Sequence, residues 1–117
     1  MRIGKSIMMS CAHFLRDYKG KCANVHGHTY KIEIILEGEV KDGFVMDFYD
    51  LKEIMEQEIF TPYDHKLLNE VAPFDKINPT AENIASEFAR RIKLRTKIDT
   101  TVRVYESPTS WAEARAE

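Results

Sequence analysis

Residues 28–37 have the sequence HTYKIEIILE, in which apolar and charged side chains alternate. A β-strand turns successive side chains to opposite faces, so this alternation predicts a half-buried strand. The predicted core face carries Tyr30, Ile32, Ile34 and Leu36, and the other face carries mostly Lys31, Glu33 and Glu37.

A weaker alternation precedes this strand in residues 3–13, where one parity carries Ile3, Ile7, Met9, Cys11 and His13. We expect a second strand here. The two strands are separated by residues 14–25, so they can pair as a hairpin that brings His13 toward the start of the later strand.

Two helices are predicted in the middle of the chain. Residues 47–60 begin at Asp47, a suitable N-cap, and place Phe48, Leu51, Met55 and Ile59 at helical spacing. The second helix begins at the cap Thr80 and ends among basic residues 93–97, which suit a helix C-terminus. Its apolar stripe is Ile84, Phe88 and Ile92. We expect an irregular loop over residues 61–78.

Two short strands are predicted at the end of the chain, over residues 100–106 and 110–116, with Pro108 between them. The resulting order is β-β-α-α-β-β. Strands and helices grouped in this way favour an α+β fold with an antiparallel sheet and two helices on one face over a doubly wound parallel sheet. A length of 117 residues predicts one domain, residues 1–117.

The composition argues against several classes of partner. The chain has 17 basic and 19 acidic residues and a net charge of −2, so neither nucleic acid nor an anionic membrane is an expected partner. The apolar run near the N-terminus is short and is broken by Ser6 and Ser10, which predicts a soluble cytoplasmic protein. The two cysteines, Cys11 and Cys22, are expected to be free thiols.

Three of the four histidines lie in the first quarter of the chain. His26 and His28 are two residues apart, so both imidazoles project from one strand face. The predicted hairpin brings His13 to the same place, which would give three nitrogen donors and an open fourth position, the pattern of catalytic zinc. The alternative is that these histidines only satisfy hydrogen bonds in the core or on the surface.

Cys22 lies four residues before His26 and allows two interpretations. As a fourth ligand, it would complete a closed structural site with one thiolate and three imidazoles. Outside the metal shell, it could act as a base whose thiolate is favoured by the nearby metal and by Lys21. Spacing does not separate these alternatives. We assign Cys11 to packing, because it lies within the strand pattern.

Two further sites carry candidate catalytic groups. His65 follows Asp64, and such a pair can combine a group that titrates near pH 7 with a carboxylate that fixes its tautomer. Glu106 continues the face of Val102 and Val104, where a buried carboxylate would need a partner such as the amino group of a ligand. Exposure at the end of the strand is the alternative for Glu106.

Several motifs together resemble the 6-pyruvoyltetrahydropterin synthase family along nearly the whole chain. They are SCAHFL (10–15), GKCANVHGHTY (20–30), VMDFYDLK (45–52), DHKLLN (64–69), PTAEN (79–83) and YESPTSW (105–111). The one departure is Cys11, where the pattern would place another small residue, Ala or Ser.

The resemblance implies a tunnelling fold, in which subunits join into a trimeric barrel and two barrels stack as a hexamer. It implies Zn²⁺ on His13, His26 and His28, with Cys22 as proton acceptor. It further implies that Asp64 and His65 are charge-relay partners of Cys22, that Glu106 anchors the guanidine-like edge of a pterin, and that Thr80 and Glu82 make secondary substrate contacts.

The CxxxHGH form and the ESPTSW tail are most similar to the prokaryotic 6-carboxytetrahydropterin synthases of queuosine biosynthesis. That branch converts 7,8-dihydroneopterin triphosphate to 6-carboxytetrahydropterin and releases acetaldehyde and triphosphate, whereas the 6-pyruvoyl-forming branch keeps the side-chain carbons. Hypotheses from other classes are a structural zinc module that binds a partner, and a pterin-binding protein without turnover.

Overall fold

The computed structural model describes residues 1–117, and its centre is a four-stranded antiparallel sheet. The strands are β1 (Arg2–His13), β2 (His26–Glu37), β3 (Asp99–Ser107) and β4 (Ser110–Arg115), and they lie side by side in that order. The four predicted strands are therefore confirmed, with bounds that differ by at most two residues.

The register of the first hairpin follows the alternation in the sequence. His13 lies opposite His26, Cys11 opposite His28 and Met9 opposite Tyr30. These residues share one face of the sheet, and Ile32 and Ile34 extend the same face to meet Val104 and Val102 of β3. The predicted parity of both strands is correct because one face must be buried, and a slip by one residue would expose the whole apolar set.

Helix α1 begins as the α-helix Phe48–Met55, continues through a π-helical segment Glu56–Phe60 and ends in the turn Thr61–Tyr63. Asp47 caps it as predicted, because its carboxylate accepts a hydrogen bond from the Tyr49 N–H at 2.7 Å. The predicted loop over residues 61–78 is wrong for residues 61–63, which continue the helix. The wider π-helical turn precedes Pro62, which lacks an N–H and whose ring would clash with a carbonyl in a regular helix.

Helix α2 (Ala81–Thr96) is capped as predicted by Thr80, whose Oγ1 accepts a hydrogen bond from the Asn83 N–H at 3.1 Å. It ends at Lys97, which has a left-handed backbone with φ of 61°. Both helices pack on the same face of the sheet, α1 against β1 and α2 against β3 and β4. The predicted α+β architecture is confirmed.

The core is the layer between the sheet and the two helices. It holds 20 buried residues, including the predicted apolar stripes of α2 and β2 and, from the predicted stripe of α1, Leu51, Met55 and Ile59. The prediction is wrong for Phe48, which lies in the first turn of α1 and is 51% exposed. Neither helix has the length and apolar character needed to cross a bilayer. The buried layer ends beside His13 and Tyr30, so the histidines of the first hairpin lie where the core meets solvent.

Candidate metal centre and surrounding site

The three histidines of the first hairpin converge at one point. His13 ends β1 and lies directly opposite His26, the first residue of β2, while His28 follows on the same face. The ring centroids are 4.5 Å apart for His13 and His26, 5.0 Å for His13 and His28, and 4.9 Å for His26 and His28. One nitrogen of each ring lies within 4.8 Å of the others. This spacing suits three ligands of one metal ion.

Backbone carbonyls fix the tautomers of two of these rings. Nδ1 of His13 donates to the Pro79 carbonyl oxygen at 2.7 Å, and Nδ1 of His26 donates to the Asn24 carbonyl oxygen at 2.7 Å. In the neutral rings both Nε2 atoms therefore carry a lone pair, and they face each other at 3.0 Å. Two lone pairs at this distance repel unless a proton or a cation lies between them, so the donor set fits a metal such as zinc.

Burial keeps two of the imidazoles, those of His13 and His28, in the form that binds metal. His13 is 1% exposed, and desolvation lowers its pKa despite the hydrogen bond to the Pro79 carbonyl. Desolvation also lowers the pKa of His28, against the opposing charge of Glu106. Both rings are consequently neutral at pH 7, with a lone pair available to a cation.

Cys22 lies in a short 3-10 helix, Lys21–Ala23, in the hairpin loop. The cluster of converging donor atoms contains the three histidines and does not include Cys22. The structure therefore does not form the closed site with one thiolate and three imidazoles. Both cysteines are free, and Cys22 is partly exposed.

Cys11 has a different environment. Its Sγ donates to the Tyr63 carbonyl oxygen at 3.1 Å, and burial raises the pKa of its thiol to about 12. The thiol stays protonated at neutral pH and fills the core between β1 and α1. This environment agrees with the assignment of Cys11 to packing.

Asp64 and His65 follow the end of α1 and lie along the edge of β1 that does not pair with β2. Nδ1 of His65 is 2.7 Å from Oδ2 of Asp64, while Oδ1 of Asp64 accepts a hydrogen bond from the Ser10 N–H at 3.0 Å. Desolvation opposes ionisation of Asp64, but the hydrogen bonds from His65 and Ser10 outweigh it and hold the pKa of Asp64 below its usual value. Asp64 is thus an anion that orients His65.

His65 is presented to solvent by a constrained backbone. Its φ is 57°, an uncommon conformation for a residue other than glycine, and its N–H is bonded to the Ser10 carbonyl oxygen at 2.6 Å. Its side chain is 80% exposed. A rigidly held but exposed imidazole can act on a group that is supplied from outside this chain.

Glu106 lies at a β-bulge, because Tyr105 pairs with Trp111 but Ser107 pairs with Ser110. Such a bulge redirects a side chain. Glu106 lines a cavity of about 480 Å³ together with Glu82, and its charge acts on both His13 and His28. The carboxylate of Glu106 forms neither an ion pair nor a hydrogen bond within the chain. Thr80 is not among the cavity residues and is committed to capping α2.

Comparison with known proteins shows which family the chain belongs to. The sequence profile of the 6-pyruvoyl tetrahydropterin synthase family matches residues 2–117. The chain belongs to this family. It is 32% identical over 136 residues to the 6-carboxy-5,6,7,8-tetrahydropterin synthase of Haemophilus influenzae, covering 96% of each protein. It is 37% identical over 99 residues to human 6-pyruvoyl tetrahydrobiopterin synthase, covering 72% of this chain and 68% of the human one.

The fold of the family is also present. The structure of Caenorhabditis elegans 6-pyruvoyl tetrahydropterin synthase superposes with a TM-score of 0.90 at 26% identity, covering 100% of this chain and 96% of that one. The predicted tunnelling fold of a pterin synthase subunit is therefore confirmed.

Three groups that lie at this candidate site were not predicted from the sequence. The carbonyl groups of Pro79 and Asn24 orient two histidines, but backbone carbonyls carry no signal in the sequence. Tyr30 was assigned only to the core, although its hydroxyl lies 3.2 Å from Nδ1 of His13. Its position two residues after His28 could have shown this, since residues 26, 28 and 30 share a strand face.

Proposed function

We propose that this chain is a zinc-dependent 6-carboxy-5,6,7,8-tetrahydropterin synthase. It converts 7,8-dihydroneopterin triphosphate to 6-carboxytetrahydropterin, with release of acetaldehyde and triphosphate, in queuosine biosynthesis. The observation that carries the proposal is the convergence of three imidazoles beside a cavity with an unpaired carboxylate, in a chain of this family.

The proposed zinc ligands are His13, His26 and His28, each as a neutral imidazole. The bound ion supplies Lewis acidity toward the side-chain hydroxyls of the substrate, which makes the neighbouring carbon-bound protons more acidic. Cys22 accepts one of these protons as a thiolate. Asp64 holds His65 in the orientation needed to exchange a proton with the Cys22 thiol, and triphosphate then leaves.

The proposed substrate contacts are made by Glu106, Glu82 and Thr80. Glu106 accepts hydrogen bonds from the N–H groups of the pterin ring, which would satisfy a carboxylate that has no partner in the chain. Glu82 shares the same cavity and makes a secondary contact. Thr80 makes another with its hydroxyl proton, since its oxygen already accepts a hydrogen bond from Asn83.

We further propose that the active protein is a hexamer, as a dimer of trimers, with active sites between subunits. The cleft of about 510 Å³ that His65 lines also contains His28 but not Cys22. A 117-residue chain has little interior for a bicyclic ring and a triphosphate, so a shared pocket is favoured. In this arrangement Cys22 of one subunit works with His65 of its neighbour.

The reaction is tested by incubating the zinc-loaded protein with 7,8-dihydroneopterin triphosphate and identifying the products by mass spectrometry. We expect 6-carboxytetrahydropterin and equimolar acetaldehyde. A product that keeps all side-chain carbons, without acetaldehyde, would favour the alternative, a 6-pyruvoyl tetrahydropterin synthase. Tight pterin binding without any product would support a binding protein, and neither binding nor turnover would support a structural zinc module.

The Glu106→Gln variant is expected to fold normally but to bind a pterin analogue about 10- to 150-fold more weakly. The reason is that the variant loses a charge-assisted hydrogen bond, worth about 1.5–3 kcal/mol, to the ring N–H groups. Isothermal titration calorimetry measures the dissociation constant. The matched control is Glu113→Gln, which alters a carboxylate of the same cavity that Arg103 already binds at 2.9 Å. Equal affinity of the Glu106→Gln variant and the wild-type protein would remove Glu106 from the site.

A further inference from the structure

The side-chain amide of Asn78 connects two segments that are far apart in the chain. Its Oδ1 accepts a hydrogen bond from the Arg16 N–H at 2.7 Å, and its Nδ2 donates to the Arg16 carbonyl oxygen at 3.0 Å. One side chain therefore binds both backbone groups of Arg16, as a paired residue of a neighbouring strand would do. Arg16 lies three positions after His13, one of the three proposed metal ligands.

The residue after Asn78 supplies the hydrogen-bond acceptor for His13. Pro79 is buried, and its carbonyl oxygen lies 2.7 Å from Nδ1 of His13. Proline has no N–H, so no backbone donor of its own can anchor this residue. The position of the Pro79 carbonyl therefore depends on the neighbouring residues, Asn78 on one side and the helix cap Thr80 on the other.

Asn78 is also held by α2. Its backbone carbonyl oxygen accepts a hydrogen bond from Nδ2 of Asn83, in the first turn of that helix, at 2.9 Å. The side chain of Asn78 is thus bonded to the segment that follows β1, and its main chain is bonded to α2. These bonds on two sides leave Asn78, and with it Pro79, little freedom to move.

A second asparagine makes the same pair of hydrogen bonds but does not adjoin the Pro79 carbonyl. Oδ1 of Asn69 accepts from the Phe14 N–H at 3.0 Å, and its Nδ2 donates to the Phe14 carbonyl oxygen at 3.0 Å. The two residues that follow Asn69 donate their N–H groups back within their own turn. Asn69 and Asn78 therefore brace the same segment, but only Asn78 precedes the residue that binds His13.

We infer that Asn78 is a positioning residue of the metal centre, which acts through the Pro79 carbonyl on the orientation of the His13 ring. The hydrogen bond to Pro79 keeps the proton on Nδ1 and leaves Nε2 of His13 facing the other imidazoles. Without the amide of Asn78, the carbonyl moves more freely, the ring adopts orientations in which Nε2 turns away, and the metal binds more weakly. The inference deepens the proposed function and rests on its metal site.

The Asn78→Ala variant is expected to stay folded and to bind zinc about tenfold more weakly than the wild-type protein. It should stay folded because the guanidinium of Arg16 still holds the same loop, donating to the carbonyl oxygens of Phe74 at 2.8 Å and Ile77 at 3.2 Å. Competition with a chromophoric chelator at fixed pH measures the zinc affinity. Thermal unfolding of the metal-free protein measures the stability.

The matched control is Asn69→Ala, which removes the same pair of hydrogen bonds from the neighbouring position. Asn69 is only 6% exposed, so this variant should lose at least as much thermal stability as Asn78→Ala. We nevertheless expect it to bind zinc within about twofold of the wild-type protein, because the Pro79 carbonyl keeps its anchor. Equal weakening of zinc binding by both substitutions would indicate a general loosening of the fold and would overturn the inference.

Nuclear magnetic resonance of protein with ¹⁵N-labelled histidine gives a readout that a loss of stability alone does not move. In the metal-free wild-type protein, the Nδ1 proton of the buried His13 should exchange slowly with water, because it is bonded to the Pro79 carbonyl. We expect its resonance to broaden or disappear through faster exchange in Asn78→Ala and to persist in Asn69→Ala. An unchanged resonance in folded Asn78→Ala protein would contradict the inference.

Asn83→Ala provides a second variant that keeps the test decisive where Asn78→Ala does not fold. It removes the bond from α2 to the Asn78 carbonyl, so zinc affinity and the His13 resonance should change in the same direction but by less. Wild-type behaviour of this variant in both measurements would then overturn the inference. Wild-type protein that binds no zinc at the histidines would overturn both the inference and the metal site. The expected zinc and resonance changes, combined with no pterin turnover by the wild-type protein, would overturn the proposed reaction alone.

Discussion

Replacement of Cys22 by alanine is expected to lower kcat by about 10²- to 10⁴-fold while one zinc per chain stays bound. The reason is that Cys22 lies outside the cluster of three imidazole donors, so the variant loses the proposed base but no metal ligand. Product formation under saturating substrate gives kcat, and metal analysis of the purified variant gives the zinc content. Loss of zinc from the variant would support the structural interpretation of Cys22 instead.

The other cysteine provides a matched control. Cys11→Ala removes a thiol that is buried and stays protonated, so the variant should keep both zinc and most of the activity.

The assignment of Cys22 to a shared site is tested by subunit complementation. Inactive Cys22→Ala and His65→Ala subunits, dissociated and reassembled together, should regain activity at interfaces where both residues are intact. Mixed oligomers that form but stay inactive would place the pocket within one chain.

His26→Ala is expected to weaken zinc binding at least about a hundredfold and to abolish turnover, because it removes one of the three proposed zinc ligands. His26 is chosen because it is only partly buried, whereas the nearly inaccessible His13 also supports the core. Competition with a chromophoric chelator measures the affinity, and His65→Ala serves as a control that should bind zinc normally. A His26→Ala variant with wild-type zinc affinity would show that the metal lies elsewhere.

The sheet and the convergence of the histidines could be predicted because both depend on strand parity. A period of two fixes which side chains face the core, and the same period places His26, His28 and Tyr30 on one face. Because the two strands pair as a hairpin, His13 at the end of β1 is brought to the start of β2, where it lies directly opposite His26. These features follow from the pattern of apolar residues alone.

Other features of the site depend on contacts that no local pattern encodes. The bulge at Glu106 arises from the register of β3 and β4, and the turn Thr61–Tyr63, which follows the π-helical segment, extends α1 beyond its predicted end. The carbonyl of Pro79 reaches His13 from a segment 66 residues away. Such long-range contacts are determined by how the elements pack, which the sequence of each element does not specify.

The central claim is that three imidazoles hold a zinc ion whose remaining position is open to substrate, with Cys22 outside the metal shell. X-ray absorption spectroscopy of the zinc-loaded resting protein tests it most directly. The expected first shell contains three nitrogen atoms and one oxygen atom at about 2.0–2.1 Å. A sulfur scatterer at about 2.3 Å would make Cys22 a ligand and contradict the claim.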